Sequence, residues 1–208
     1  MIELFSANTP NGWKISIMLE EIGYDYKVTK VDLGKDEQFK PEFIKLSPFG
    51  KIPVIIDHEN NKSLFESGAI LMYLGDKSGK LYNEKDRLVI NQWLMAQMGT
   101  VGPMIGQHHQ FHHYNPGKSE FGENRYFKIS ERIYKELDER LAISNFLTGK
   151  NYSIADIATF PWIARHEWHD IGLKKFTNLS RWYKEIAKRE AVIKGYDLLK
   201  KGEEIPRV

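Results

Sequence analysis

The chain has 208 residues, 30 Lys and Arg against 28 Asp and Glu, a formal net charge of +2 and no cysteine. A hydrophobic content of 41% with 28% charged residues excludes a disordered chain, and the near-neutral charge leaves no electrostatic footprint for nucleic acid. Without cysteine there is no disulfide framework, no thiolate metal site and no protein thiol to act as a nucleophile.

No apolar run approaches the ~20 residues of a membrane span, so no membrane partner is expected. The start, Met1-Ile2-Glu3-Leu4-Phe5, carries an acid and no basic region, which predicts no signal peptide and a cytoplasmic location. Ile2 to Phe5 reads as a short strand that ends in a loop crowded with turn and cap residues, Ser6-Ala7-Asn8-Thr9-Pro10-Asn11-Gly12. Ile15, Met18, Leu19 and Ile22 then recur at helical spacing, with Gly23 as a stop. Tyr26 to Val31 is a second strand, followed by a polar loop from Asp32 to Lys40 and a short helix from Pro41 to Leu46.

The next stretch opens Phe49-Gly50-Lys51-Ile52-Pro53 before the apolar run Val54-Ile55-Ile56. Proline cannot donate to a sheet ladder, so Pro53 belongs at the entrance or edge of a strand. The Ile52–Pro53 bond is a candidate for a cis peptide, an arrangement that would turn the Ile52 backbone outward toward an extended peptide. A turn at Glu59-Asn60-Asn61-Lys62 leads to another strand, and Glu66-Ser67-Gly68 starts a helix that reaches Lys77. Glu66 and Ser67 there offer a carboxylate, a hydroxyl and free helix N–H groups, or simply a helix start.

Ser78-Gly79-Lys80 reads as a linker, and beyond it the pattern is helical only. Leu94, Met98 and Val101 mark one helix, and Ile129, Ile133, Leu137 and Leu141 another. Ser153-Ile154-Ala155-Asp156 resembles a capping box, and Leu179, Trp182, Tyr183 and Ile186 mark a further helix. The expected architecture is an α/β domain at 1–80 in the order βαβαββα, followed by an all-α domain at 86–208.

That order, with Lys51-Ile52-Pro53, Glu66-Ser67 and the Ser153 to Asp156 box at compatible spacing, resembles the cytosolic glutathione transferase superfamily over essentially the whole chain. The resemblance implies a thioredoxin-like first domain that binds glutathione. Thr9-Pro10-Asn11-Gly12, Val31-Asp32-Leu33-Gly34-Lys35 and Gly102-Pro103-Met104-Ile105-Gly106-Gln107 are similar to the bacterial Nu-class transferases, also called disulfide-bond oxidoreductases. Such relatives act on small disulfides and organic hydroperoxides, and bind glutathione disulfide or two glutathiones in one site. The loop after the first strand holds neither the Tyr nor the Cys of better-known classes.

With no cysteine, the nucleophile implied is the thiolate of glutathione itself, and lowering a thiol pKa requires donors or positive potential around the sulfur. The resemblance assigns that task to Thr9 and Asn11; residue type alone also allows either to be a plain helix cap. By the same resemblance Gln38 binds the glycyl carboxylate, Ile52 supplies backbone, and Glu66 and Ser67 hold the γ-glutamyl end. Arg125 reaches glutathione within its own or a partner subunit of a homodimer; its alternative is a surface ion pair. His108, His109, His112 and His113 have i, i+4 pairs that suit a metal on a helix; the reading favoured is no metal and a place lining the cleft between the domains, with Phe111 and Tyr114. Trp162 and Trp168 are candidates for an acceptor pocket or for core packing, and Asp156 is assigned to stability. The function implied is glutathione-dependent disulfide reduction, with a conjugating transferase acting on electrophiles, or a regulatory protein on the same scaffold, as alternatives.

Overall fold

A computed structural model describes all residues from 1 to 208. The strands β1 (Ile2–Ser6), β2 (Tyr26–Lys30), β3 (Val54–Asp57) and β4 (Lys62–Phe65) form one sheet in the order β2-β1-β3-β4. β1 pairs with β2 in parallel, because helix α1 (Pro10–Ile22) carries the chain back across the sheet between them. The pairs β1–β3 and β3–β4 are antiparallel, the latter a hairpin. Ile2, Leu4 and Ser6 of β1 are buried on one face. Phe5 points to the other and joins Leu46 and Ile52 around the buried Val31, Phe43 and Val54. The short helix α2 (Pro41–Ile44) supplies Phe43 to that face, and two 3₁₀ turns, Leu33–Lys35 and Glu37–Phe39, fill the expected polar loop.

Helix α3 (Ser67–Ser78) ends at Gly79, as α1 ends at Gly23, each glycine in the left-handed region. That conformation is what the glycines are for: it lets the N–H just past the helix turn back onto the last carbonyls.

The remaining helices are α4 (Arg87–Ala96), α5 (Gly102–His108), α6 (Glu120–Ala142), α7 (Ile154–Ile163), α8 (Thr177–Ala187) and α9 (Glu190–Asp197). Wide π turns at Gln97–Val101 and His109–Tyr114 interrupt the run from α4 past α5. No strand follows β4; the one later bridge joins Phe146 and Gly149. Asp156 closes the capping box at the start of α7 and lies fully buried. It accepts hydrogen bonds from the N–H of Ser153 (3.0 Å), the N–H of Leu147 (2.9 Å) and Trp182 Nε1 (2.9 Å). Burial pushes its carboxyl up to about 6, against the downward pull of those donors.

The chain divides into two compact units: Met1–Asn83 with Arg189–Glu204, and Glu84–Lys188 with Ile205–Val208. The first therefore contains α9, a helix not among those expected from the sequence, although Val192, Tyr196 and Leu199 recur at helical spacing. Within this unit Tyr196 stacks on Trp13 with centroids 4.0 Å apart, and Ser16 Oγ donates to the Gly195 carbonyl at 2.6 Å. Arg189 grips Glu21 through two nitrogens at 2.6 and 2.8 Å. Gly195 has to be glycine, since a Cβ there would lie 2.6 Å from the backbone of Ile17.

Candidate functional site

The loop between β1 and α1 is pinned from both ends. Thr9 has extended backbone and caps α1, its Oγ1 accepting the Gly12 N–H at 3.2 Å. Pro10 occupies the first helical position, and no acid stands in the first turn to offset the positive end of the helix. Gly12 is packed so tightly that a Cβ would fall 2.2 Å from the Ala7 carbonyl, 2.6 Å from Ser6 Oγ and 3.1 Å from Leu199. A hydroxyl accepts and donates at once, so Thr9 caps the helix with its oxygen and keeps its proton for another acceptor. Asn11 is half-buried beside it on the first turn.

A second corner forms where the Lys51 segment meets the 3₁₀ turn carrying Gln38. Gly50 is in the left-handed region, and a Cβ there would strike Phe39 at 2.8 Å and the Gln38 carbonyl at 3.0 Å. Ser47 Oγ holds Lys51 by both its N–H and its carbonyl. The Ile52–Pro53 bond is cis, and sheet pairing begins only at Val54, so the Ile52 backbone lies outside both sets of hydrogen bonds. Gln38 is buried, its Nε2 3.5 Å from Asp36 Oδ1 and its Oε1 without a partner. An unpartnered acceptor suits an N–H; to meet a carboxylate the amide must turn over and donate from that position.

At the start of α3, Glu66 has φ 67° and ψ 114°, a conformation that side-chain-bearing residues rarely adopt. It leaves the Glu66 side chain exposed while Ser67 is buried. The first backbone bond of the helix runs from the Ile70 N–H to the Glu66 carbonyl, and the Glu66 side chain does not cap the turn. Beneath it lies Lys14, 1% exposed, with Nζ 3.4 Å from Ser67 Oγ. Burial brings this ammonium down to about 7, partly opposed by the charge of Glu66. Sequence reading passed Lys14 over. The available signal was its phase: Lys14 stands four residues before Met18 and eight before Ile22, on the apolar side of α1, where the structure buries every residue from Gly12 to Leu19.

Thr9, Asn11, Gln38, Ile52, Glu66 and Ser67 all belong to the first unit, whereas Arg125 lies in the second, exposed on α6 with its guanidinium 6.0 Å over the Tyr126 ring. The expectation that the four histidines line an interdomain cleft fails for two of them. His108 and His109 are 0% and 6% exposed inside the helical unit. His109 Nε2 meets His169 Nε2 at 2.7 Å, Tyr134 Oη meets His169 Nδ1 at 2.6 Å, and His108 Nε2 lies 2.9 Å from the His169 carbonyl. The physical reason is His169, distant in sequence, which gives these imidazoles polar partners in the core. His113 is exposed and stacks on Trp168 at 4.1 Å, while Trp162 packs over His109. No three His, Asp or Glu side chains converge on a position that could hold a metal ion.

Residues 1–76 match the family model for the glutathione S-transferase N-terminal domain, and residues 101–190 that for the C-terminal domain. The chain is 44% identical over 207 residues to the disulfide-bond oxidoreductase YfcG of Escherichia coli, covering 96% of this chain and 95% of that protein. Its structure superposes on a glutathione transferase from Burkholderia graminis with a TM-score of 0.90 at 40% identity, covering 97% of this chain and 89% of the other. That crystal structure holds two glutathione molecules per subunit. A glutathione transferase from Pseudomonas putida, with one glutathione disulfide bound per subunit, matches with a TM-score of 0.89 at 41% identity, covering 97% and 92%. With both family models matched and a relative aligned along nearly its whole length, the chain belongs to the glutathione S-transferase family.

Proposed function

We propose that this chain is a glutathione-dependent disulfide-bond oxidoreductase of the Nu class, in which residues 1–80 bind glutathione and residues 86–208 form the helical domain. The observation that carries the reading is whole-length likeness to YfcG, a disulfide-bond oxidoreductase, in a chain that has no cysteine of its own. The thiol must then come from the ligand, and the relatives from Burkholderia graminis and Pseudomonas putida hold two glutathiones or one glutathione disulfide, which are the two redox states of one pair.

The Thr9 hydroxyl proton, the Asn11 amide and the N-terminus of α1 supply donors and positive potential for a thiolate. The Ile52 backbone and Gln38 take the cysteinyl and glycyl parts, Glu66 the α-ammonium, and Ser67 with the N–H groups of α3 the α-carboxylate. Arg125 offers a planar pair of donors to a further carboxylate. The first glutathione thiolate attacks one sulfur of a small disulfide and expels the other half as a thiolate. A second glutathione thiolate attacks the mixed disulfide at the glutathionyl sulfur, giving glutathione disulfide and the second thiol. An organic hydroperoxide is the alternative substrate of the same site: one glutathione thiolate attacks its O–O bond, releasing the alcohol and forming a glutathione sulfenic acid, which the second glutathione converts to glutathione disulfide and water. The protein is read as a cytoplasmic homodimer, since reduced glutathione is plentiful in that compartment and α6 exposes Phe121 beside Arg125.

Steady-state turnover of a small dialkyl disulfide with glutathione tests the reading, with an aryl halide as the conjugation control. Disulfide turnover well above the uncatalysed rate is expected; none above it overturns the assignment, and turnover of the aryl halide alone makes the chain a conjugating transferase. Sedimentation velocity at micromolar concentration checks the dimer.

A further inference from the structure

Lys14 is a buried amine inside the first unit that the sulfur chemistry does not use. A buried ammonium persists only where polar groups or opposite charge meet it. Here its Nζ stands 3.4 Å from Ser67 Oγ, under the first turn of α3, and Glu66 is the charge that acts on it. Other ionisable groups on the elements around α1 have partners of their own or, like Asp76 of α3, are exposed at the surface. Glu3 of β1 meets Thr29, Lys27 and His58. Arg189, just before α9, meets Glu21, Glu190 meets Lys194, and Asp197 accepts the Gly202 N–H. Lys77 of α3 is held by Asp57 and Glu59. Glu66 itself is exposed and faces whatever enters from solvent, so an arriving ammonium group weakens its claim on Lys14, and the carboxylate that arrives with it sits nearest Ser67.

We propose that Lys14 is the proton-accepting floor of the carboxylate subsite: as a ligand carboxylate settles on Ser67 and the N–H groups of α3, Lys14 Nζ takes one proton from solvent, so that a buried positive charge is made beneath a buried negative one. The inference rests on the reading of Glu66 and Ser67 as holders of the γ-glutamyl end. In the free chain burial brings Lys14 to about 7, so above pH 7 the neutral amine predominates, and the ligand must restore the proton. A pKa higher in the bound than in the free state means proton uptake on binding and weaker binding as pH rises through that window. For a bound-state value about two units higher, affinity falls about fivefold between pH 7 and pH 8.

S-methylglutathione is the probe, because it carries the γ-glutamyl carboxylate but no thiol proton. Calorimetric titration at pH 8 in buffers of different ionisation enthalpy is expected to show uptake of most of one proton per ligand, with affinity falling from pH 7 to pH 8. Lys14→Arg, which keeps its proton, is expected to bind with that uptake abolished and a flat pH profile; this separates Lys14 from the ligand's own amino group. Lys14→Met is expected to bind at least about tenfold more weakly, again without uptake, with thermal melts checking that each variant is folded. Wild-type binding without proton uptake, or uptake unchanged in Lys14→Arg, overturns the proposal and leaves the glutathione reading intact. No S-methylglutathione binding at millimolar concentration overturns both.

Discussion

Thr9 and Gln38 differ in what they leave unsatisfied, and that difference predicts different kinetics. Thr9 Oγ1 is occupied as an acceptor by the Gly12 N–H while its proton is free, and Asn11 sits next to it at the positive end of α1. Donors aimed at developing charge act on the chemical step, whereas contacts to a remote carboxylate bind ground and transition states alike. Asn11→Ala is therefore expected to lower kcat for disulfide reduction about tenfold to a hundredfold. Gln38→Ala is expected to raise KM for glutathione a few-fold with kcat kept. Equal small losses in a side-by-side kinetic comparison would contradict the sulfur role of Asn11. The residue types, the turn chemistry and the capping tendency of Thr9 are all readable locally, because each concerns neighbours within four positions. The burial of Lys14 was readable from its helical phase, but its role was not, since that depends on Ser67, 53 residues away.

At the scale of elements, the position of α1 is set by a helix from the far end of the chain. Ser16 and Gly195 are 179 residues apart, yet their hydrogen bond is 2.6 Å long and the Gly195 site has no room for a methyl group against the Ile17 backbone. Leu199, just beyond α9, touches the place where a Gly12 Cβ would stand, so the packing of α9 reaches the Thr9 to Gly12 loop. Gly195→Ala is expected to destabilise the protein by about 1–3 kcal/mol through overpacking and to lower disulfide reductase activity as α1 shifts. A urea melt and the same kinetic assay check both; an unchanged midpoint would show that the α1–α9 contact yields without cost. Ser16→Ala removes this hydrogen bond, together with the longer contact of Ser16 Oγ to the Trp13 carbonyl (3.2 Å), without overpacking, and is expected to cost about 1 kcal/mol.

For the whole molecule, the buried histidines set the response to acid. Burial lowers His109 to about 3, and His169 well below its ordinary value; His108, His112, His113, His166 and Arg165 add repulsion around the pair, while Asp170 opposes it at His108. Tyr134, its own pKa raised by burial, keeps its proton and can donate to His169 Nδ1, leaving His169 Nε2 to donate to His109. Both imidazoles are neutral when folded and protonate in the unfolded chain near pH 6.5, so the unfolded state binds more protons below that value. Stability is therefore complete above about pH 7 and is lost as pH falls from about 6.5 toward 3, each histidine contributing up to about 1.4 kcal/mol per pH unit. Asp156 works the other way between about 6 and 3.8, because its raised carboxyl is protonated in the fold first. The expected net result is a falling stability curve between pH 6.5 and pH 5, measured by urea unfolding, that becomes flatter in His109→Leu/His169→Leu. A wild-type curve flat over that range would remove the histidine pair as the cause.

The order of strands and helices in the first domain, the proline at the entrance of β3, the Glu66-Ser67 helix start and the Ser153–Asp156 capping box were all legible by themselves. They arise from backbone rules and spacings that act between near neighbours: a missing N–H, a left-handed glycine, a period of two or of about 3.6 residues. Only the tertiary structure decided that α9 belongs with α1, that His108 Nε2 and His109 Nε2 find partners in the core on His169, and that Lys14 lies under Ser67. Each of these depends on which polar group meets which across distant stretches of chain. That choice is made by the packing and burial of the folded molecule and leaves no periodic trace in the sequence.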